Sequence, residues 1–161
     1  MRCDTLESAR VYAVVGQADR DMVRTAINRW EKYSPFDFVY RKTPRAGEHY
    51  LLISDADACR AELGYSGHGT QFLELGASFC NEENLVHELG HTLGLEHEHQ
   101  RTDRDKFITV VPEAMADGAD AQFERIIEPW GVYNRHSAMH YDNFNGAAKI
   151  DQPVILAPRL C

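Results

Sequence analysis

Residues 86–100 read VHELGHTLGLEHEHQ and hold four of the chain's eight histidines, beside a run of leucines. His87 and His91 stand four residues apart. On an α-helix that spacing is about 40° of rotation and one turn of rise, so both rings leave the same face. Two imidazoles so placed can hold one metal ion at about 2.0–2.1 Å per nitrogen. Glu88 lies between them, placed to reach the open side of the metal and take a proton from water there. A catalytic zinc site needs a third protein ligand. His97 sits six residues beyond His91. A continuous helix would carry it about 600° round, onto the far side. The chain must therefore turn, and Gly94 is the residue that tolerates a left-handed turn. The pattern HExxHxxGxxH thus reads as three ligands (His87, His91, His97), one general base (Glu88) and one hinge. Each feature has a plainer reading. A helical histidine is most often structural or at the surface, and Glu96 and the run from Arg101 to Asp105 would ordinarily form a solvated charged face. His99 is expected to be exposed or to support the ligands.

Outward from this stretch, the chain has 161 residues, 43% of them apolar, which suits one folded domain with a core. No apolar run approaches the roughly 20 residues of a membrane span. The start, MRCDTLESAR, lacks the apolar region of a secretory signal. The net charge of −8 disfavours nucleic acid and anionic membranes as partners. The four cysteines, Cys3, Cys59, Cys80 and Cys161, form no CxxC pair. Their even number suggests disulfides and an oxidising compartment, with four reduced thiols in a cytosolic protein as the alternative. Of three possible pairings, Cys59–Cys80 with Cys3–Cys161 is favoured, the second tying the termini.

Strands are expected at 10–15, 36–41, 49–54 and 70–79, the last broken at Gly76. GYSGHG (64–69) reads as a glycine-rich loop. Asp19 is a candidate cap for a helix from about Arg20, with Met22, Val23, Ala26, Ile27 and Trp30 as its core stripe and an end before Pro35. A second helix should run from about Glu82 to Leu93, burying Leu85, Leu89 and Leu93. One further helical stretch is expected near 113–127, within a loop-rich final third.

Two more motifs carry a resemblance. HEHQRTDRD (97–105) extends the histidine pattern with a glutamate directly after the third histidine, and SAMHY (137–141) lies downstream. Together with HExxHxxGxxH they resemble the metzincin clan, and within it the astacin family of zinc endopeptidases. The likeness covers roughly residues 10–158. It implies an α+β, zincin-like (metzincin) fold: an N-terminal twisted mixed sheet with two helices, a smaller irregular C-terminal subdomain, and an active-site cleft between them. A single catalytic domain over 1–161 is expected, divided at 97/98.

By the same resemblance, one zinc ion is bound by His87, His91 and His97. Glu88 is the general base and later acid, and Met139 forms a floor under the metal. Tyr141 is a further ligand that swings away to stabilise the oxyanion. Glu98 matches a glutamate joined to the mature N-terminus, its alternative being a salt bridge to Arg101 or Arg104. Cys59–Cys80 matches a family disulfide, and the strand at 71–79 would be the cleft's edge, receiving an extended peptide by strand addition. The pattern departs in lacking a cysteine near FDFV (36–39) and a helix after the SAMHY turn. The implied protein is a secreted, monomeric zinc endopeptidase acting on protein or peptide substrates. The competing class is a catalytically silent zinc-containing binding or toxin-like module.

Overall fold

The computed structural model describes residues 9–14, 16–65, 69–76, 80–142 and 153–156. The favoured Cys3–Cys161 pairing lies outside the described residues, as do Val15 of the first strand, 66–68 of the glycine-rich loop and 77–79 of the fourth strand. The chain forms two compact units, Met1–Leu95 and Glu96–Cys161.

In the first unit the elements are β1 (Ala9–Val14), α1 (Gln17–Tyr33), β2 (Phe38–Tyr40), β3 (Tyr50–Asp55), β4 (Cys59–Ala61), β5 (Thr70–Leu75) and α2 (Glu82–Thr92). The five strands make one mixed sheet in the order β2-β1-β3-β5-β4. β1 runs parallel to β2 and β3, and β3 parallel to β5, while β4 is antiparallel to β5. Period-two alternation sends Leu51 and Ile53 of β3, and Leu73 and Leu75 of β5, into the core. There they meet Val23, Ala26 and Ile27 of α1 and Leu85 and Leu89 of α2. The indole of Trp30 donates to the carbonyl oxygen of Val86 at 2.9 Å, tying the two helices.

Three expectations need correction in this unit. α1 begins three residues earlier than the Asp19 cap implied: Gly16 is the N-cap, without a side-chain bond, and Asp19 lies in the first turn. There its charge faces the positive end of the helix dipole. β4 is a strand that the sequence pattern does not announce, because three residues carry too little of it. Its presence overturns the expectation that 71–79 is an edge. β5 is covered by the pairs Cys59↔Leu75 and Ala61↔Leu73, and farther on Glu62 N donates to Phe72 O at 3.0 Å. The outermost strand is β4. A disulfide between Cys59 and Cys80, with Cα atoms 5.5 Å apart, ties this strand to the residue just ahead of α2's N-cap.

The second unit is held by Ile108, Ala114, Ala119, Phe123, Tyr133, Val154 and Ile155, with a two-stranded antiparallel ladder, β6 (Thr109–Val110) and β7 (Ile155–Leu156). The helix expected near 113–127 is replaced by two 3-10 turns, Pro112–Ala114 and Asp120–Phe123. Gly118 separates them at φ 79°, a conformation no α-helix contains. The charged run at 101–105 is not simply solvated either: Arg101 and Arg104 are 4% and 7% exposed. Arg101 forks onto both carboxylate oxygens of Asp103 at 3.0 Å and reaches Glu98 Oε1 at 3.0 Å. It also donates to the carbonyls of Trp130 and Gly131 and lies 5.2 Å from the centre of the Tyr133 ring. Buried guanidinium is tolerated because its donors find these acceptors.

Candidate metal centre

α2 starts from a reciprocal cap. Asn81 Oδ1 accepts from Asn84 N at 2.9 Å, and Asn84 Oδ1 accepts from Asn81 N at 3.1 Å. Glu82 and Glu83 lie in the first turn, where negative charge is favourable. Leu85, Val86 and Leu89 bury one face, which leaves His87 and His91 on a half-buried face with their ring centres 4.6 Å apart. The helix ends in a Schellman arrangement: Leu95 N bonds Gly90 O at 3.0 Å and Gly94 N bonds His91 O at 2.9 Å. Gly94 has φ 89°, so the turn required between the second and third histidines is present. Gly64 N adds a 2.8 Å bond to the same His91 carbonyl.

His87, His91 and His97 each offer one ring nitrogen, and these nitrogens all lie within 4.8 Å of one another. Hydrogen bonds orient two of the rings. His91 Nδ1 faces Leu95 O at 2.8 Å, and His97 Nδ1 faces Gln100 Oε1 at 2.9 Å. A proton on each Nδ1 satisfies these acceptors and leaves each Nε2 lone pair for a cation. The amide of Gln100 is assigned by its other end, where Nε2 donates to Ala121 O at 3.4 Å. Three imidazoles, two of them with braced outer nitrogens, are a donor set that fits zinc. Gln100 was missed in the sequence. It stands inside the HEHQRTDRD stretch, three residues after His97, where no role was read for it.

Glu88 is half-buried, and loss of water raises its carboxyl pKa to about 7 against the smaller opposing effect of a hydrogen bond from the Ala61 backbone. Met139 is 3% exposed, in a turn closed by Ser137: its N–H donates to Ser137 Oγ at 3.1 Å, and its carbonyl accepts from Glu98 N at 3.0 Å. Glu98 Oε1 accepts from Arg101 and, at 2.8 Å, from Asn134 N, so the salt bridge to Arg101 exists. Tyr141 stands with its ring centre 4.7 Å from that of His97, and its hydroxyl donates to Gln122 Oε1 at 3.2 Å.

Of the two readings of His99, exposed or supporting the ligands, its burial excludes the first. It is wholly buried, stacked on Tyr141 with centres 4.1 Å apart, and its Nε2 donates to Gln122 O at 2.8 Å. Burial depresses its pKa to about 3, with smaller repulsion from neighbouring His97, His140 and Arg104. The ring is therefore neutral and structural.

The family model described as Astacin, a peptidase family, matches residues 10–159. The chain belongs to the astacin family. Among curated relatives, it is 32% identical over 140 residues to nematocyst expressed protein 6 of Nematostella vectensis, covering 82% of this chain and 47% of the relative. It is 34% identical over 131 residues to zinc metalloproteinase nas-12 of Caenorhabditis elegans, covering 79% and 33%. The chain thus spans about half or less of the length of these astacin relatives. In fold it is similar to high choriolytic enzyme 1, a hatching enzyme zinc-protease of the medaka Oryzias latipes. That match has a TM-score of 0.83 at 21% identity and covers 95% of this chain and 77% of that one. The α+β, zincin-like fold follows from this likeness and from the mixed sheet with its two helices.

Proposed function

We propose that this chain is a single catalytic domain, 1–161, of a zinc endopeptidase, with His87, His91 and His97 as its metal ligands. The observation that carries the reading is the convergence of three imidazole nitrogens within 4.8 Å, on a segment that also carries the desolvated carboxyl of Glu88. A zinc ion bound there would acidify a water molecule and polarise the scissile carbonyl. Glu88 takes the proton from that water and later returns it to the leaving amine. Its pKa near 7 suits both directions of transfer at neutral pH. Tyr141, whose hydroxyl donates to Gln122 Oε1, would serve as a further ligand to the metal and, on swinging from it, would donate to the developing oxyanion. Met139, buried in its turn, would form an apolar floor beneath the metal.

The substrate is a protein or peptide in extended form. β4 offers the outer edge of the sheet, where a peptide can add as one more strand through backbone hydrogen bonds. A secreted monomer is the form proposed. The Cys59–Cys80 disulfide supports an oxidising compartment, and among the described residues no helix is long and apolar enough to cross a membrane. The test is cleavage of casein or a peptide library by zinc-loaded wild type and Glu88→Gln. Wild-type cleavage with a loss on the order of 1,000-fold or more in the variant supports an enzyme. Equal cleavage by both refutes the assignment of Glu88. No cleavage by either favours a silent binding module.

A further inference from the structure

The chain's net charge is −8, yet cations collect at one edge of the five-stranded sheet. β2 is the outermost strand on the side opposite β4. Tyr40 of β2 is the register partner of Val11, so it shares the face that packs on α1. There Arg20 and Arg24, one turn apart in the first half of α1, lie close enough to act electrostatically on the Tyr40 phenol. Arg10, one residue before Val11, takes the opposite face. Arg10 and Arg41 act in the same way on the phenol of Tyr12. The loop 41–45, RKTPR, leaves the end of β2 and is exposed throughout. It is pinned at both ends: Arg41 N donates to Val11 O at 3.0 Å, and Arg45 N donates to Glu48 Oε2 at 3.0 Å. Glu48 is spent inside the patch. Its Oε1 meets Arg10 at 2.8 Å, its Oε2 also accepts from the Tyr12 phenol at 3.0 Å, and its side chain is 9% exposed. Asp21 reaches Arg24 only at 4.0 Å. Among the described residues, the side chains of Arg41, Lys42 and Arg45 make no hydrogen bond or ion pair. Six cations thus gather with three carboxylates, Asp19, Asp21 and Glu48, in a chain where acids outnumber bases 25 to 17.

From this arrangement we infer that the β2 edge of the sheet is a docking surface for a sulfated polysaccharide. Sulfate esters stay ionised at physiological pH and present oxygens onto which a guanidinium forks. The half-exposed ring of Tyr40 offers a sugar ring a flat apolar contact beside these charges. The placement of the cations selects among polyanions. They stand on both faces of an edge strand, so a flat anionic bilayer meets only one side, whereas a flexible linear chain follows the bend. A nucleic acid duplex is stiff and runs on into the field of an otherwise acidic protein. The Cys59–Cys80 disulfide fits an oxidising, extracellular compartment, where sulfated polysaccharides occur. Docking at β2 uses neither the metal nor the β4 edge proposed for the peptide, so it stands apart from the catalytic reading.

The probe is a short heparin oligosaccharide of defined length, its affinity for the zinc-loaded protein measured by calorimetry at low and at physiological salt. Wild type should bind, with affinity falling as salt rises. Arg41→Ala, Lys42→Ala and Arg45→Ala combined should weaken binding about tenfold or more and flatten the salt dependence. The same charge removed elsewhere, by Lys32→Ala, Lys106→Ala and Arg135→Ala combined, should leave both nearly unchanged; all three of these are exposed. A second measurement needs no substitution: the oligosaccharide should protect Lys42 of the wild type from acetylation and leave Lys106 reactive. The inference is overturned by absence of binding at low salt, by equal weakening in the two triple variants, or by an unprotected Lys42. Tighter binding to duplex DNA or to phosphatidylserine vesicles than to the oligosaccharide would overturn the choice of partner.

Discussion

His99 should make the zinc-free protein acid-sensitive in a way that a single substitution removes. The ring is buried, its Nε2–H is bonded to Gln122 O, and its pKa is held at about 3. In the unfolded chain a histidine titrates near about 6.5. Between those values the unfolded chain binds a proton that the folded chain refuses. Stability therefore falls as pH drops from about 6.5 toward about 3, and is unaffected by this group above that window. Each tenfold rise in proton activity inside the window is worth about 1.4 kcal/mol. Going from about pH 7.5 to about pH 5 should then remove about 2 kcal/mol through His99 alone. His91 and His140 are also held below their ordinary pKa by burial and act in the same direction, so the raw slope is not specific. The comparison is urea unfolding of chelated wild type and His99→Gln at both pH values. The variant should be less stable at neutral pH, because its buried partners are less well matched. Its loss on acidification should be smaller by about 2 kcal/mol. Proton NMR of the wild type should show one imidazole still neutral near about pH 4.5. Equal acid losses in the two proteins, or no such resonance, would refute the reasoning.

Three further outcomes follow. Gly94→Ala places a side chain at φ 89° and should cost about 1–2 kcal/mol in thermal unfolding, with weaker zinc binding because the turn carrying His97 shifts. Replacing Cys59 and Cys80 together by serine reopens a link across a sequence separation of 21, and denaturant unfolding should report a loss of about 3 kcal/mol. Arg101→Met leaves Glu98 and Asp103 without their shared partner at a site 4% exposed. A loss of about 3–5 kcal/mol is expected, and an unchanged unfolding midpoint would show that water replaces the guanidinium.

The first unit was largely legible because its signals are local. Leu85 and Leu89 recur at the helical period and are fully buried in α2, and the apolar runs around Leu51 and Leu73 became paired strands. The turn at Gly94 could be derived from the spacing of the histidines alone. What failed were signals that depend on partners distant in the sequence. β4 exists because β5 pairs with it and Cys80 bonds to it. Arg101 reads as a surface charge until its carbonyl acceptors, Trp130 and Gly131, are brought to it. The stretch at 113–127 has helix-forming residues, and Ala114, Ala119 and Phe123 are buried. Gly118 divides it all the same, so burial is reached through two short turns. At the proposed metal centre the clustering of the three histidines could be read from the motif. Gln100, Gln122 and the burial of His99 could not, because each depends on bonds across many residues or on a side chain with no motif of its own.

The central claim is that one segment bent at Gly94 directs three imidazoles at one divalent ion. X-ray absorption at the zinc edge, on protein loaded with zinc and cleared of excess, tests it directly. The prediction is one zinc per chain with three imidazole nitrogens at about 2.0–2.1 Å and an oxygen ligand besides. The count of imidazoles should fall by one in His97→Ala. Fewer than three imidazoles in the wild type, or a spectrum unchanged by His97→Ala, would contradict it.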